Sequence, residues 1–308
     1  MKYTGKQLSS SLVTDQQNQA RANFTETADA WQHKSEDERE YSLIQNRNSI
    51  VLGKLLNFPQ HAKFLDIGCG TGQLAIQAAC HGYHATGIDY SETMIKHCID
   101  NAMKVGASVQ FKYLSIFDFP TTNKTFDLIS ALGFIEYLSQ PQLALFFQKT
   151  SEMLPRGGKL LIGTRNRLFN VTSLNQFTNI ERELGNFDNL LRQAMAFQSV
   201  SSTDKNFDFL EEFASIEAQP EVHPHTGVKV DTRYQYSPGE IYARLKMEGY
   251  KLDRIYPVHY HAFPPSVKED YIADHEKVAR FVQEHASSDM RLIPWCSTLI
   301  FSVRRGNT

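Results

Sequence analysis

The stretch Phe64-Leu65-Asp66-Ile67-Gly68-Cys69-Gly70-Thr71-Gly72-Gln73 decides the fold. It starts as a short apolar run and places an acid near the end of that run. It then passes through glycines at alternate positions and enters a helical pattern at Gln73. That order predicts a buried strand running into a loop that opens a helix. Glycine lets the loop backbone approach a ligand with no Cβ in the way. Open α/β sheets bind their ligands at such strand ends. A second acid, Asp89, closes the next apolar run at residues 85–88. A carboxylate there can accept hydrogen bonds from both hydroxyls of a ribose, each worth about 1.5–3 kcal/mol.

Outward from this stretch, the same alternation continues. Residues 109–114 alternate like a strand, and residues 127–132 form another buried run. A helix follows near residues 141–154, and Pro155-Arg156-Gly157-Gly158 turns into a run at 159–163. Ser91 opens a helix with Met94, Ile95, Cys98, Ile99 and Ala102 at helical spacing. Continuous apolar strands alternating with helices predict a parallel sheet covered on both faces. The rhythm stops after Thr164 and returns at Ser237-Pro238-Gly239-Glu240, a capping box with Pro at the first helical position. Residues 252–259 and 297–303 read as the last strands. Upstream, residues 21–57 carry a helical pattern. The chain therefore divides into an N-terminal helical lid (1–57), a cofactor-binding half (58–164), a cap insertion (165–233) and a C-terminal part of the same domain (234–308).

The loop separates two cofactor classes. A dinucleotide fingerprint, G-x-G-x-x-G, needs its third glycine where this chain has Gln73. Asp66 would also repel a pyrophosphate but attract an ammonium group. The ligand expected is thus a nucleoside that carries an amino group.

On these residues the segment resembles motif I of the class I S-adenosylmethionine-dependent methyltransferases. Three later segments resemble further motifs of that family in the same order: GIDYSETMI (87–95), FDLISALGFIEYL (126–138) and MLPRGGKLLI (153–162). The resemblance implies a Rossmann-like, doubly wound α/β fold with a seven-stranded, mostly parallel sheet. It implies S-adenosyl-L-methionine as cofactor, held by Asp66, Gly68, Cys69, Gly70 and Gln73. Asp89 would lie on the ribose, Tyr90 and Met94 beside the adenine, Ser115 and Ile116 at its edge, and Leu132 at the methionine end. Two departures stand out. The slot that usually holds an acid or amide facing the adenine amino group falls on Ser115, and a frequent histidine is replaced by Tyr137.

Methyl transfer to a hydroxyl or ammonium needs a base. His259 and His261 follow the sixth strand, where alternation puts them on one face, and are the candidate catalytic residues. His223 and His225 form a second pair in the insertion; the two pairs raise a metal site as a minor alternative, and no metal is expected. Trp31, Tyr137, Arg165, Tyr234 and Tyr236 are the candidate acceptor-binding residues, with Arg165 suited to an acidic acceptor. Arg167 reads equally well as a solvated surface residue. The insertion's phenylalanines, among them Phe169, Phe177, Phe197, Phe207 and Phe213, are expected mostly to form its own core.

Composition narrows the function. The chain has 308 residues, 41% hydrophobic and 21% charged, with 32 basic and 34 acidic side chains for a net charge of −2. That argues against disorder and gives no basic excess for a nucleic-acid partner. No run is long and apolar enough to predict a membrane span. The first residues carry no apolar signal core, and the four cysteines form no CxxC pair, so a cytoplasmic location is expected. The expected function is methylation of a small-molecule acceptor, on oxygen or nitrogen, in an enclosed pocket; a homodimer is left open. Alternatives are a nucleic-acid or protein methyltransferase, a non-methyl reaction of the same cofactor, a non-catalytic binding subunit, and a nicotinamide oxidoreductase.

Overall fold

The computed structural model describes residues 15–35, 42–122, 125–201, 206–215, 218–219, 230 and 233–306. Its strands are β1 (Lys63–Ile67), β2 (His84–Asp89), β3 (Gln110–Tyr113), β4 (Leu128–Leu132), β5 (Lys159–Arg165), β6 (Tyr250–Tyr260) and β7 (Cys296–Arg305). They form one sheet in the order β3-β2-β1-β4-β5-β7-β6. The first five pair in parallel, and β7 runs antiparallel to both β5 and β6. The order reverses between β1 and β4, which opens a crevice at the carboxyl ends of the strands.

The helices are α1 (Asp15–Glu26), α2 (Ala28–Ser35), α3 (Leu43–Leu55), α4 (Gln73–Cys80), α5 (Glu92–Val105) and α6 (Gln140–Met153). They continue with α7 (Phe169–Thr172), α8 (Gln176–Glu183), α9 (Phe187–Ser199), α10 (Pro238–Met247), α11 (Pro265–Lys268) and α12 (Ile272–Ala286). The two sheet faces build separate cores because strand side chains alternate. Phe64, Leu128, Leu161 and Ile300 pack with α3 and α4 on one face. Leu65, Ile129, Ile162 and Phe301 pack with α6 and α10 on the other. These side chains are fully buried, each worth roughly 1.5–3 kcal/mol relative to exposure.

The capping signals hold. Ser91 accepts from the Met94 backbone at the start of α5, and Ser237 and Glu240 cap α10 reciprocally. Among the described residues the N-terminal stretch holds three helices, with Thr27 between the first two and Ser42, in an extended conformation, capping the third. His223 and His225 lie outside the described residues. The sequence reading also passed over α12, which fills the connection between β6 and β7.

Between β5 and α10 the chain leaves the sheet for α7–α9. Phe197, Phe207 and Phe213 are buried there, whereas Phe169 and Phe177 face the crevice. Arg167 corrects the surface reading. It is fully buried and forms a two-point pair with Glu181 (Nε–Oε1 and Nη2–Oε2, both 2.8 Å) and a third contact with Glu240 at 2.9 Å. Its partners come from 14 and 73 residues away, on α8 and α10, so local sequence carries no sign of them.

Candidate active site

At the end of β1 the chain turns through Gly68, Gly70 and Gly72, all with positive φ, before α4 begins. Gly72 is the tightest position. With φ +85°, an added Cβ would lie 2.9 Å from both Cys98 Sγ and Phe111 Cζ, so only glycine lets the loop lie flat on α5 and β3. The loop is clasped from the neighbouring strand: Asp89 Oδ2 accepts from the Gly70 amide (3.1 Å) and Asp89 Oδ1 from the Ser91 amide (2.9 Å). Cys98 Sγ donates to the Gly70 carbonyl at 3.0 Å.

The two acids are set by register. Asp66 stands opposite Ser130 on β4, whose hydroxyl donates to Asp66 Oδ1 at 2.6 Å. Burial pushes the Asp66 carboxyl up to about 7, despite that bond. Burial likewise pushes Asp89 up to about 6, against its backbone hydrogen bonds. Both therefore sit in a water-poor place that penalises their ionised forms until a positive or donating group arrives.

A cavity of about 810 Å³ runs along these strand ends. Asp66, Gly68, Cys69, Gly70, Gln73, Asp89, Tyr90, Met94, Ser115, Ile116 and Leu132 all line it. So do Trp31, Tyr137, Arg165, His259 and His261. Tyr234 and Tyr236 do not: Tyr236 packs into the main core, and the Tyr234 amide donates to the Glu136 carbonyl at 2.8 Å just behind the wall. The two tyrosines sit 6.2 Å apart, centroid to centroid.

The N-terminal helices roof one side. Phe24 meets Tyr137 edge-on at 5.2 Å and Trp31 at 6.1 Å. Their seam with the body is largely polar: Gln32 exchanges hydrogen bonds with Asn101 at 3.0 and 2.9 Å, Gln16 donates to the Tyr137 carbonyl at 3.1 Å, and Thr25 meets Ser91 at 3.2 Å.

The histidine pair comes together, with ring centroids 4.5 Å apart, although His259 leaves the extended conformation on which alternation depends and His261 lies past the end of β6. His259 has φ +59°, a strained conformation costing a non-glycine residue on the order of 1–3 kcal/mol. Its Nδ1 lies 2.7 Å from Ser297 Oγ. Both nitrogens of His261 are buried with no hydrogen-bond partner, and Phe169 packs 4.5 Å from its ring. Burial, and then nearby positive charge, pushes His261 down to about 3, and His259 is lowered well below the usual range for the same reason. His275 stands 5.4 Å from His261. Among the described residues, no group of three His, Cys, Asp or Glu side chains is disposed to hold a metal ion.

Sequence reasoning missed a charged group in the wall. Arg47 on α3, Glu136 after β4 and Arg233 before α10 all line the cavity beside Arg165. Arg233 Nη2 donates to Glu136 Oε1 at 2.7 Å, and the Arg165 amide to Oε2 at 3.3 Å. Burial alone would raise Glu136, but Arg233 and Arg165 outweigh it and hold its carboxyl below the usual range. Gly133, at φ +67°, makes room for Arg47: a Cβ there would lie 3.0 Å from Nη1. A buried acid in the run after β4 was the one available sequence signal.

Comparisons agree with this architecture. Residues 64–158 match a family model described as a methyltransferase domain. A ubiquinone biosynthesis O-methyltransferase from Coxiella burnetii is 30% identical over 105 residues, 34% of this chain and 44% of that protein. One from Idiomarina loihiensis is 26% identical over 150 residues, 47% and 60% of the two chains. The chain thus spans less than two thirds of these relatives' length. Magnesium protoporphyrin IX methyltransferase from Synechocystis PCC 6803 superimposes with TM-score 0.57 at 13% identity, covering 94% of this chain and all of the other. A Burkholderia thailandensis 1,6-didemethyltoxoflavin-N1-methyltransferase gives 0.53 at 12% identity, over 94% and 89%. The fold is the Rossmann-like fold of class I methyltransferases.

Proposed function

We propose that this chain, whose residues 64–158 form a methyltransferase domain, is a class I S-adenosylmethionine-dependent methyltransferase acting on a small molecule. The observation that carries this reading is the pair of buried acids, Asp66 and Asp89, at adjoining strand ends with the glycine loop between them, in one cavity. Asp89 suits a ribose diol, and Asp66 an ammonium group. Tyr90 and Met94 would flank the adenine, Ser115 and Ile116 its edge, and the Leu132 backbone the amino-acid tail. Arg47, against Gly133 and with its buried Nε unpartnered, suits the tail's carboxylate. These groups fit S-adenosylmethionine better than a dinucleotide, whose diphosphate Asp66 would repel.

The cofactor supplies an already activated methyl group. The protein aligns the acceptor with it and keeps water out, and such alignment can contribute up to roughly 7–11 kcal/mol in model reactions. We assign α1 and α2 as a lid held by their polar seam, while α3, expected as part of that lid, packs into the core of the sheet, and we assign residues 165–233 as a cap, with Phe169, Phe177 and Trp31 lining an acceptor space. The relatives' names favour oxygen as the methylated atom. No helix among the described residues is long and apolar enough to cross a membrane, and we propose a cytoplasmic enzyme.

His261, with His259 behind it, is the proposed base. Its imidazole is neutral at physiological pH, so it is free to accept a proton, though weakly until a bound anion raises it. His261→Ala is expected to lower turnover by about 100-fold or more with cofactor affinity unchanged. Wild-type turnover in that variant would remove His261 from the reaction.

The raised acids give a pH signature. In the empty protein both carboxyls hold protons that the unfolded chain releases, so their share of stability falls as pH rises from about 4 to 7. Binding an ammonium at Asp66 requires that proton to leave. Affinity for S-adenosylmethionine is therefore expected to weaken below pH 7 by up to about tenfold per unit. Calorimetric titration between about pH 5 and pH 8 tests this, and a flat profile contradicts it. The same titration with NADH tests the function itself: the nicotinamide cofactor should not bind, and binding of NADH in place of S-adenosylmethionine would overturn the assignment.

A further inference from the structure

The acceptor end of the cavity carries more positive charge than the cofactor accounts for. Arg47, Arg165 and Arg233 line it with Glu136 as their carboxylate neighbour. Glu136 is engaged by Arg233 and by the main-chain amide of Arg165. The guanidinium groups of Arg47 and Arg165 make no hydrogen bond and no ion pair with any described residue, and Arg47 Nε is buried in that state. Burial lowers both from their ordinary values, with Arg233 adding repulsion. Guanidinium stays charged even so, and an unmatched charge in a water-poor wall is costly. Such a wall is built for anions.

Position divides the two. Arg47 lies over Gly133, where the loop after β4 faces Asp66. That is the place of the cofactor's amino-acid tail. Arg165 ends β5 and stands in register with Thr298 on β7, next to Ser297, whose hydroxyl meets His259. It therefore belongs to the acceptor half, with the histidines and Phe169. Among the described residues Glu136 pairs with Arg233, while Arg47 and Arg165 have no ion pair. The cofactor tail matches Arg47, and an anionic acceptor group matches Arg165. A carboxylate presents two oxygens and one charge to the planar fork of one arginine, whereas a phosphate dianion calls for more charge than one arginine supplies.

We propose that the methyl acceptor bears a carboxylate, and that Arg165 grips it beside His261 with Phe169 and Phe177 against the acceptor's body. This rests on the methyltransferase reading and narrows it to acidic acceptors with a flat apolar part. Anchoring the acid fixes the acceptor's orientation, so that its methylated atom is presented to the cofactor's sulfur.

The test uses the full chain saturated with S-adenosylhomocysteine. It is titrated calorimetrically with 4-hydroxybenzoate, neutral 4-hydroxybenzamide and phenyl phosphate. The acid is expected to bind at least about tenfold tighter than the amide, as a charge-assisted pair requires. Arg165→Gln should abolish that preference and leave S-adenosylhomocysteine affinity unchanged. Arg165→Lys, which keeps the charge but not the fork, should fall between. Equal binding of acid and amide, no binding of the acid, a preference for phenyl phosphate, or an acid preference that survives Arg165→Gln overturns the proposal. Wild-type protein that fails to bind S-adenosylhomocysteine defeats the methyltransferase reading as well, so the two failures are distinguishable.

Discussion

Replacing Arg167 by alanine is expected to destabilise the protein by about 3–5 kcal/mol, the usual cost of removing one partner from a buried ion pair. The guanidinium is fully buried and ties the exit of β5 to Glu181 on α8 and Glu240 on α10. Glu240 also caps α10 by accepting from the Ser237 amide at 2.7 Å, and Asn170 donates to Glu181 at 2.9 Å. Without Arg167, two carboxylates remain in the interior without the guanidinium that both of them pair with. The loss does not require the pair to be a net source of stability, because the penalty comes from orphaning the charges. Glu240→Gln should cost less, on the order of 1 kcal/mol, since it keeps the shape and removes one of the two negative charges. Urea unfolding of the three proteins measures this. A loss below that of Glu240→Gln in the alanine variant would show that the network does not bind the insertion to the sheet.

The second large effect is on cofactor binding. Asp89→Ala should weaken S-adenosylmethionine binding by at least about 100-fold, because two charge-assisted bonds to the ribose are lost at about 1.5 kcal/mol or more each. The same carboxylate clasps the loop through the Gly70 and Ser91 amides, so its removal also frees the backbone that faces the ligand. Asp89→Asn retains one acceptor oxygen and should lose roughly tenfold. Calorimetry reads both, and a dissociation constant equal to wild type would show that the ribose lies elsewhere.

Contacts between neighbours in sequence, or between successive strands, were legible in the amino acids. The glycine turn, the Ser91 and Ser237 caps and the acids at the ends of β1 and β2 are all local patterns that the structure repeats. Strand alternation points to the meeting of His259 and His261, but the contact itself is made where His259 turns to φ +59° and His261 has left β6. What escaped is assembled from distant segments. Arg47, Glu136, Arg165 and Arg233 come from α3, the turn after β4, β5 and the approach to α10, and no spacing rule links them. Arg167 looks solvated until Glu181 and Glu240 are folded around it. Tyr234 and Tyr236 follow the insertion and read as pocket aromatics, but side chains alternate along this segment: Arg233 and Gln235 line the cavity, while Tyr236, bridged to Asn166, packs into the core. In each case the sequence names the residue types, while the charge partners depend on tertiary packing.

A crystal structure of the protein grown with S-adenosylhomocysteine tests the central claim most directly. The account predicts the ribose hydroxyls on Asp89, the adenine between Tyr90 and Met94, the amine at Asp66 and the tail carboxylate at Arg47, with the sulfur facing Arg165 and His261. A ribose remote from Asp89, or a tail pointing away from Asp66 and Arg47, would contradict it.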